Sequence, residues 1–324
     1  MERRHQRFIG ERALYKTALV GAASISPLSG FSIFSAHAKV ASMYQTVVHV
    51  PATTANLGPG YDCLGVALAL GNRVALRRTD SSSPPEGMIA KATEAFFTAA
   101  GVNPFGFTWS IAGEVPQSRG MGSSVTVRLG ILHGLNELAD HPLDSFAIFT
   151  ICAQLEGHPD NAAPAAFGGF AVSKPGVKPI IAPVDESLCF VLLVPDFEVR
   201  TPEARKVLPA TLDRNLAVES CLNACRITAA FLTREYESLR GAFSDHLHQP
   251  HREVLIPFLS QVVTAGEDAG ALGGWLSGSG STICCLTRSD PDLVASAMLA
   301  AANSPGARTI ITHADNRGTL VLPT

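Results

Sequence analysis

The pattern of apolar and polar positions changes character near residue 43. Beyond it, apolar runs alternate with polar, glycine-rich loops. Tyr44 to Val50 is β-rich and predicts a strand stopped by Pro51. Leu64 to Leu70 and Val74 to Arg78 predict further strand, and Ser81-Ser82-Ser83-Pro84-Pro85 predicts a turn or exposed loop. Met88 to Ala100 reads as a helix closed by Gly101, and Phe107 to Ile111 as a strand. Val125, Leu129, Leu132, Leu135 and Leu138 recur at spacings of three and four, one face of a helix of about five turns. Phe146 to Leu155 predicts another helix and Gly157 to Gly169 a loop. Leu188 to Val194 is a continuous apolar run, the mark of a buried strand. Thr201-Pro202-Glu203 opens a helix, with Thr201 as cap, proline at the first helical position and an acid in the first turn. Helical patterning continues to about Leu239. Gly274 to Leu276, Thr282 to Leu286, Thr309 to Thr312 and Thr319 to Leu322 predict short strands, and Asp290 to Ala302 a helix. Helices and strands in this mixed order, without an internal repeat, indicate the α+β class. A boundary near residue 186 divides the chain into halves at 44–185 and 186–324.

The chain has 324 residues, 46 % of them hydrophobic and 16 % charged, enough apolar material for a core or two. The net charge of −3 and the lack of a basic stripe exclude nucleic acid as a first partner. Seven scattered cysteines, without a CxxC pair, argue against a disulfide framework or a zinc site and for a reducing compartment, the cytoplasm. Cys221 and Cys225 are one helical turn apart and read as packing residues. Residues 1–42 carry six Arg or Lys against two acids, Glu2 and Glu11, followed by a Ser/Ala-rich stretch that Pro27 and Gly30 break, so a membrane-spanning helix is not expected. We read residues 1–43 as a loosely attached or disordered upstream extension, with Met43 as a start. The alternative is a targeting segment: Ala36-His37-Ala38 resembles a signal-peptidase site, and the Arg/Ser bias resembles an organelle transit peptide.

Four loops hold the candidate chemistry. Pro116-Gln117-Ser118-Arg119-Gly120-Met121-Gly122-Ser123-Ser124 lies at a strand-to-helix junction. Its glycines allow close backbone approach to an anion, the helix N-terminus favours negative charge, and the hydroxyls suit phosphate or Mg²⁺. Glycine and serine also cap helices for structural reasons, and the wording is neither GxxxxGK[ST] nor GxGxxG. Asn56 and Asp62 lie on a glycine-rich loop and suit a polar ligand or simply build turns. Glu156-Gly157-His158-Pro159-Asp160-Asn161 is a dense polar cluster. Thr201 and Arg205, with Arg252 much later, offer two guanidiniums for a carboxylate or for a solvated helix face. His246, His248 and His251 have no acid or thiol at metal-site spacing.

Together these loops show a resemblance. Val50-Pro51-Ala52-Thr53-Thr54-Ala55-Asn56-Leu57-Gly58-Pro59-Gly60-Tyr61-Asp62-Cys63-Leu64-Gly65 resembles the first motif of the homoserine kinases, a branch of the GHMP small-molecule kinases. Pro116 to Ser124 resembles the superfamily's PxxxGxGSS phosphate loop, and Glu156 to Pro164 the EGHPDNVAP segment. Thr201 to Arg205 and Pro250-His251-Arg252 resemble TxEAR and PxR elements, and Leu276 to Thr282 the LSGSGPT motif. The resemblance runs from about Tyr44 to Thr324.

It implies an N-terminal domain like the second domain of ribosomal protein S5 and a ferredoxin-like C-terminal domain. It further implies ATP-dependent phosphorylation of the side-chain hydroxyl of L-homoserine, a step towards threonine, by an enzyme compatible with a homodimer and needing no membrane. Pro116, Arg119, Gly120, Met121, Gly122, Ser123 and Ser124 would hold ATP. Asn56, Asp62, His158, Asp160, Arg205, Arg252 and Gly278 would bind homoserine. Ser124 and Glu156 would hold Mg²⁺, with Ser123 the alternative serine. Asn161 would lie near the attacking hydroxyl and Thr201 near the transferring phosphate. Asp62 as a general base is the rival to alignment by Asn161. Two departures stand out: Ser281 replaces the usual proline and is expected to loosen its loop, and Val125-Thr126 replaces the common alanines and is expected to alter packing beneath the phosphate loop. Another kinase of the superfamily, or a catalytically silent ligand-binding relative, are the alternatives.

Overall fold

The computed structural model describes residues 45–323, Ser82 apart. The extension 1–43 and the predicted strand start at Tyr44 lie outside the described residues. Two antiparallel sheets organise the rest. The first has the order β10-β1-β2-β4-β5, with β3 also paired to β2. Its strands are β1 (Thr46–Ala55), β2 (Leu64–Arg78), β3 (Phe107–Gly113), β4 (Phe170–Lys174), β5 (Val177–Ala182) and β10 (Leu320–Leu322). The second has the order β7-β8-β6-β9, from β6 (Cys189–Val194), β7 (Gly273–Leu276), β8 (Ile283–Thr287) and β9 (Arg308–Thr312). The boundary near 186 falls between β5 and β6, which belong to different sheets, while β10 returns from the C-terminus to pair with β1.

Pro51 does not stop the first strand. β1 continues to Ala55, and its register against β2 shifts between Pro51 and Ala52. At such a bulge a missing N–H leaves no gap in the ladder. The two apolar runs of β2 form one strand of 15 residues. One edge of β2 pairs with β1 between Gly65 and Leu76, broken at the bulge, while the other pairs with β4 at Leu64–Val66 and with β3 at Asn72–Arg78.

Helices α1 (Gly87–Ala100), α2 (Ser123–Leu138), α3 (Ser145–Glu156) and the short α4 (Ala162–Phe167) cover one face of the first sheet. The stretch predicted as loop at 157–169 therefore contains a helix, too short to show a period. In β6 the side chains alternate. Phe190 and Leu192 face a core shared with Leu68 and Phe170 of the first sheet and with α6 (Arg214–Thr233), whereas Val191 and Leu193 face α8 (Leu259–Asp268) and α9 (Pro291–Ala302). Both faces are buried, hence the unbroken apolar run. The order strand, helices, strand, strand, helix, strand from β6 to β9 is the split βαββαβ arrangement. Short helices α5 (Thr201–Lys206) and α7 (Gln249–Arg252) complete the second half. Thr201 is the first residue of α5 rather than its cap, which is Arg200. No helix among the described residues is long and apolar enough to cross a membrane.

Helix α2 sits close on β2 because two of its buried residues are glycines. A Cβ on Gly130 would fall against the Val74 side chain, and one on Gly134 against Leu76. This contact sets how deep the start of α2 lies over the sheet. Gly130→Leu adds helix propensity of about 1 kcal/mol, but surplus methylenes in a packed core cost about 1–3 kcal/mol or more. We expect a lower urea midpoint for Gly130→Leu; an unchanged or higher midpoint contradicts the close-packing role.

Candidate active site

The phosphate-loop segment leaves β3 and ends at the first turn of α2. Ser118, Gly120 and Gly122 have φ values of 52°, 73° and 67°. The left-handed backbone alone favours glycine at 120 and 122, and the surroundings demand it again. A Cβ on Gly122 would meet Thr53 Oγ1, and one on Gly120 would meet the Ser277 carbonyl. Ser123 and Ser124 open α2, where the first N–H groups have no intrahelical partner. Beneath the loop, buried Asn72 donates to Thr126 Oγ1 at 2.8 Å and accepts from the Val115 amide at 3.3 Å. Thr126 in turn donates to the Ser123 carbonyl at 2.8 Å. Of the two residues that depart from the usual alanines, Thr126 thus joins Asn72 in a polar bracket tying both ends of the loop to β2, and Val125 packs into the apolar core. Arg119 is turned away from the helix start. Its Nε donates to the Pro195 carbonyl at 3.0 Å, and Asp196 and Glu198 lie 3.9 and 3.6 Å from its guanidinium.

Glu156 is the last residue of α3, the end of a helix where a carboxylate is disfavoured by the dipole. Two groups from α2 compensate: Arg128 forms an ion pair with it, and Ser124 Oγ donates to its Oε2 at 2.9 Å. Ser124 and Arg128 are four apart and share a helix face. The pair of hard oxygen donors, one hydroxyl and one carboxylate, fits Mg²⁺, which takes a few protein oxygens and completes its shell with phosphate and water.

The loop between β1 and β2 forms the opposite wall. Asn56, buried with φ 72°, donates to the Gly278 carbonyl at 2.8 Å and accepts from the Asp62 amide at 3.0 Å. Its side chain therefore clips loops together. Arg205 forks onto Asp62 at 2.8 and 3.1 Å and reaches the Tyr61 hydroxyl at 2.8 Å. Arg252 is 2 % exposed, and it donates to the carbonyls of Ala204 at 3.2 Å and Gly278 at 2.9 Å. Among the described residues its Nη2 has no hydrogen-bond partner. The Tyr61 ring lies 5.5 Å from the Arg205 guanidinium and 5.3 Å from that of Arg252. Burial raises the Tyr61 pKa, as does the neighbouring Asp62 charge. Burial likewise pushes Cys63 up to about 11, which keeps this thiol protonated.

His158 donates from Nδ1 to Asp160 at 2.7 Å, and Asp160 also accepts from the Asn161 amide at 3.0 Å. Burial pulls His158 down, but the hydrogen bond and charge of Asp160 outweigh it, so its pKa lies above the ordinary imidazole value. Asp62, His158 and Asp160 bring their ligand atoms within 4.8 Å of one another. Arg205 lies on both oxygens of Asp62, so part of the negative charge of this cluster is already neutralised within the protein. Asn161 stands between the two walls. Its Oδ1 accepts from Thr53 Oγ1 at 2.7 Å, the residue against which Gly122 packs, and its amide nitrogen has no partner among the described residues.

Ser277 Oγ donates to the Gly120 carbonyl at 2.7 Å, and the Thr282 amide to that of Arg119 at 3.2 Å. The second glycine-serine loop is therefore laid on the first. Ser281 is fully buried and donates to the Phe197 carbonyl at 2.6 Å, so its hydroxyl ties down the loop it was expected to loosen. Thr201 is exposed at the start of α5, two residues after Val199, whose amide donates to the Ser118 carbonyl at 3.3 Å. His246, His248 and His251 form no metal-type cluster among the described residues. Sequence reasoning missed Thr53, Tyr61, Asn72 and Arg128. Of these, only Arg128 had a local signal, its four-residue spacing from Ser124.

The family model described as GHMP kinases N terminal domain matches residues 87–169, and that of GHMP kinases C terminal matches residues 229–304. Fold and paired loops thus define a small-molecule kinase of the GHMP type. The homoserine kinase of Halothermothrix orenii is 33% identical over 305 residues, covering 85% of this chain and 95% of the relative. That of Microchaete diplosiphon is 37% identical over 284 residues, 80% and 91% of the two chains. The crystal structure of homoserine kinase from Cytophaga hutchinsonii matches with a TM-score of 0.78 at 26% identity, covering 86% and 97%. The chain belongs to the homoserine kinase family.

The raised pKa of His158 has a consequence for stability. A histidine whose folded pKa exceeds its unfolded value contributes stability fully below about pH 6.5, and loses it as pH rises through the folded value. We expect the stability difference between the natural protein and Asp160→Asn, from urea unfolding, to be largest below about pH 6.5 and to shrink as the pH rises above it. A difference that is constant or grows with pH contradicts the pairing.

Proposed function

We propose that this chain transfers the γ-phosphoryl group of ATP to the side-chain hydroxyl of L-homoserine, forming O-phospho-L-homoserine on the route to threonine. One observation carries the reading at the level of the site. An amino-acid-shaped charge pattern, Asp62 and Asp160 beside Arg205 and Arg252, faces a helix N-terminus built for phosphate, with Asn161 between them. A substrate bearing only an anion has no use for the acids. A zwitterion uses all four: its ammonium goes to the Asp62–Asp160 side, and its carboxylate to Arg252 Nη2 and the outer edge of Arg205.

The reaction is then a matter of alignment and charge. Gly120 to Ser124 cradle the phosphates against the N-terminus of α2. Asn161, fixed by Thr53, offers its free amide to the acceptor hydroxyl. Ser124 and Glu156 are the residues to hold Mg²⁺, with Arg128 keeping the carboxylate in place; charge neutralisation on the phosphates is what that ion supplies when bound. Thr201, close behind the Val199–Ser118 link, completes the phosphate side. Arg119 contributes at a distance, by anchoring the loop to the end of β6. The halves 44–185 and 186–324 serve as ATP-binding and C-terminal parts of one site. Seven unpaired cysteines suit a reducing compartment, which favours the cytoplasm.

The full chain with ATP and Mg²⁺, offered homoserine, serine, mevalonate and galactose, is expected to phosphorylate homoserine. ATP consumption on another acceptor without turnover of homoserine overturns the assignment. Asp62 holds both its oxygens on Arg205, which suits it to binding rather than to proton abstraction. Asp62→Asn should therefore raise KM for homoserine and leave kcat within about tenfold; a kcat loss of about 10²–10⁴ restores the base role.

A further inference from the structure

His248 has no assigned part in the site, yet it is fully buried at its centre. Its Nε2 lies 2.9 Å from the Gly58 carbonyl, an acceptor only, so Nε2 carries the proton. The bare Nδ1 then accepts from Arg252 Nη1 at 3.2 Å. The ring face stacks on Tyr61, with centroids 5.2 Å apart and planes at 30°. Asp245 lies 3.4 Å from Nε2, but its carboxylate is taken up by the amides of Leu247, His248 and Gln249. A protonated ring would set a second N–H against the Arg252 guanidinium, and burial also lowers the His248 pKa. The neutral ring therefore joins three things: the first glycine-rich loop at Gly58, Arg252, and Tyr61. Tyr61 in turn reaches Arg205 through its hydroxyl and lies against both guanidiniums.

We propose that His248, as a neutral Nε2–H imidazole, is a positioning residue for the arginine pair that receives the acceptor's carboxylate. Its Nδ1 sets the rotation of Arg252, and its face holds Tyr61, so that both guanidiniums are presented together. The inference rests on the reading of the acceptor as an amino acid.

The test compares homoserine with 3-amino-1-propanol, which keeps the hydroxyl and amine and lacks the carboxylate. His248→Phe keeps the ring and loses both nitrogens. His248→Asn keeps an acceptor near Nδ1. A hydrogen bond to a charged group is worth about 1.5–3 kcal/mol, or roughly 10- to 150-fold. For His248→Phe we expect a loss in that range in kcat/KM for homoserine, expressed in KM. We expect kcat, KM for ATP, and the amino alcohol (as substrate or competing ligand) to stay within about threefold. His248→Asn, which restores an acceptor near Nδ1 but not the ring face against Tyr61, should recover part of the loss; no recovery overturns the role of Nδ1. Equal losses on both ligands, or a loss confined to kcat, mean a merely structural role and overturn the proposal. Nitrogen-15 NMR of the unliganded natural protein gives an independent reading, and also serves if His248→Phe fails to fold. The Nε2–H tautomer at neutral pH supports the proposal, and the Nδ1–H tautomer or an imidazolium overturns it. A natural protein that shows the Nε2–H tautomer but never turns over homoserine overturns the substrate reading alone.

Discussion

The carbonyl of Gly278 is where the site is held together. It accepts from the Asn56 side chain at 2.8 Å and from Arg252 at 2.9 Å, while the Gly278 amide donates to Ala55 at 3.2 Å. Its neighbour Ser277 bonds to Gly120 of the phosphate loop. Buried backbone groups must be paired, and here partners come from the segment of Ala55 and Asn56, the latter 222 positions away. With no Cβ at 120 or 278, the two loops approach backbone to backbone. The spacing between the two loops then follows from hydrogen-bond lengths rather than from side-chain packing.

Around that junction the charges are arranged so that none is left alone. Arg252 is buried, where an unpaired guanidinium would be costly, and it spends its Nε and Nη1 donors on Ala204, Gly278 and His248. Glu156 stands at the unfavourable end of α3 and is held by Arg128 and Ser124. Such networks specify geometry when every member is satisfied. Asn161 Nδ2, Arg252 Nη2 and the buried Arg128 Nε are exceptions, polar donors without a protein partner among the described residues.

The fold supplies depth and direction. Gly130 and Gly134 let α2 settle onto β2, and Asn72 of that strand grips both ends of the phosphate loop. The N-terminus of α2 is thereby referred to the sheet that also carries Thr53 and the loop between β1 and β2. In this way the kinase chemistry depends on one long strand, β2, whose two edge partners divide it at the level of the site.

What the residues determined by themselves was local. Spacing in threes and fours marked α2, β-rich runs marked most strands, and glycine and serine marked the two loops, because these signals depend on neighbours along the chain. Pro51 misled, since whether a proline ends a strand or sits at a bulge depends on the opposite strand. The short α4 was invisible because one turn and a half shows no period. The motif wording announced the family and most of the polar residues, Asp62, His158, Asp160 and Arg205 among them. It did not show that Arg119 turns outward to Pro195, that Arg128 guards Glu156, or that Asn72, Tyr61 and His248 brace the loops and arginines. Apart from the contact between His248 and Arg252, which lie four positions apart, those assignments are pairings across 28 positions or more. A hydrogen bond is decided by distance and direction in space, and only the folded chain supplies them.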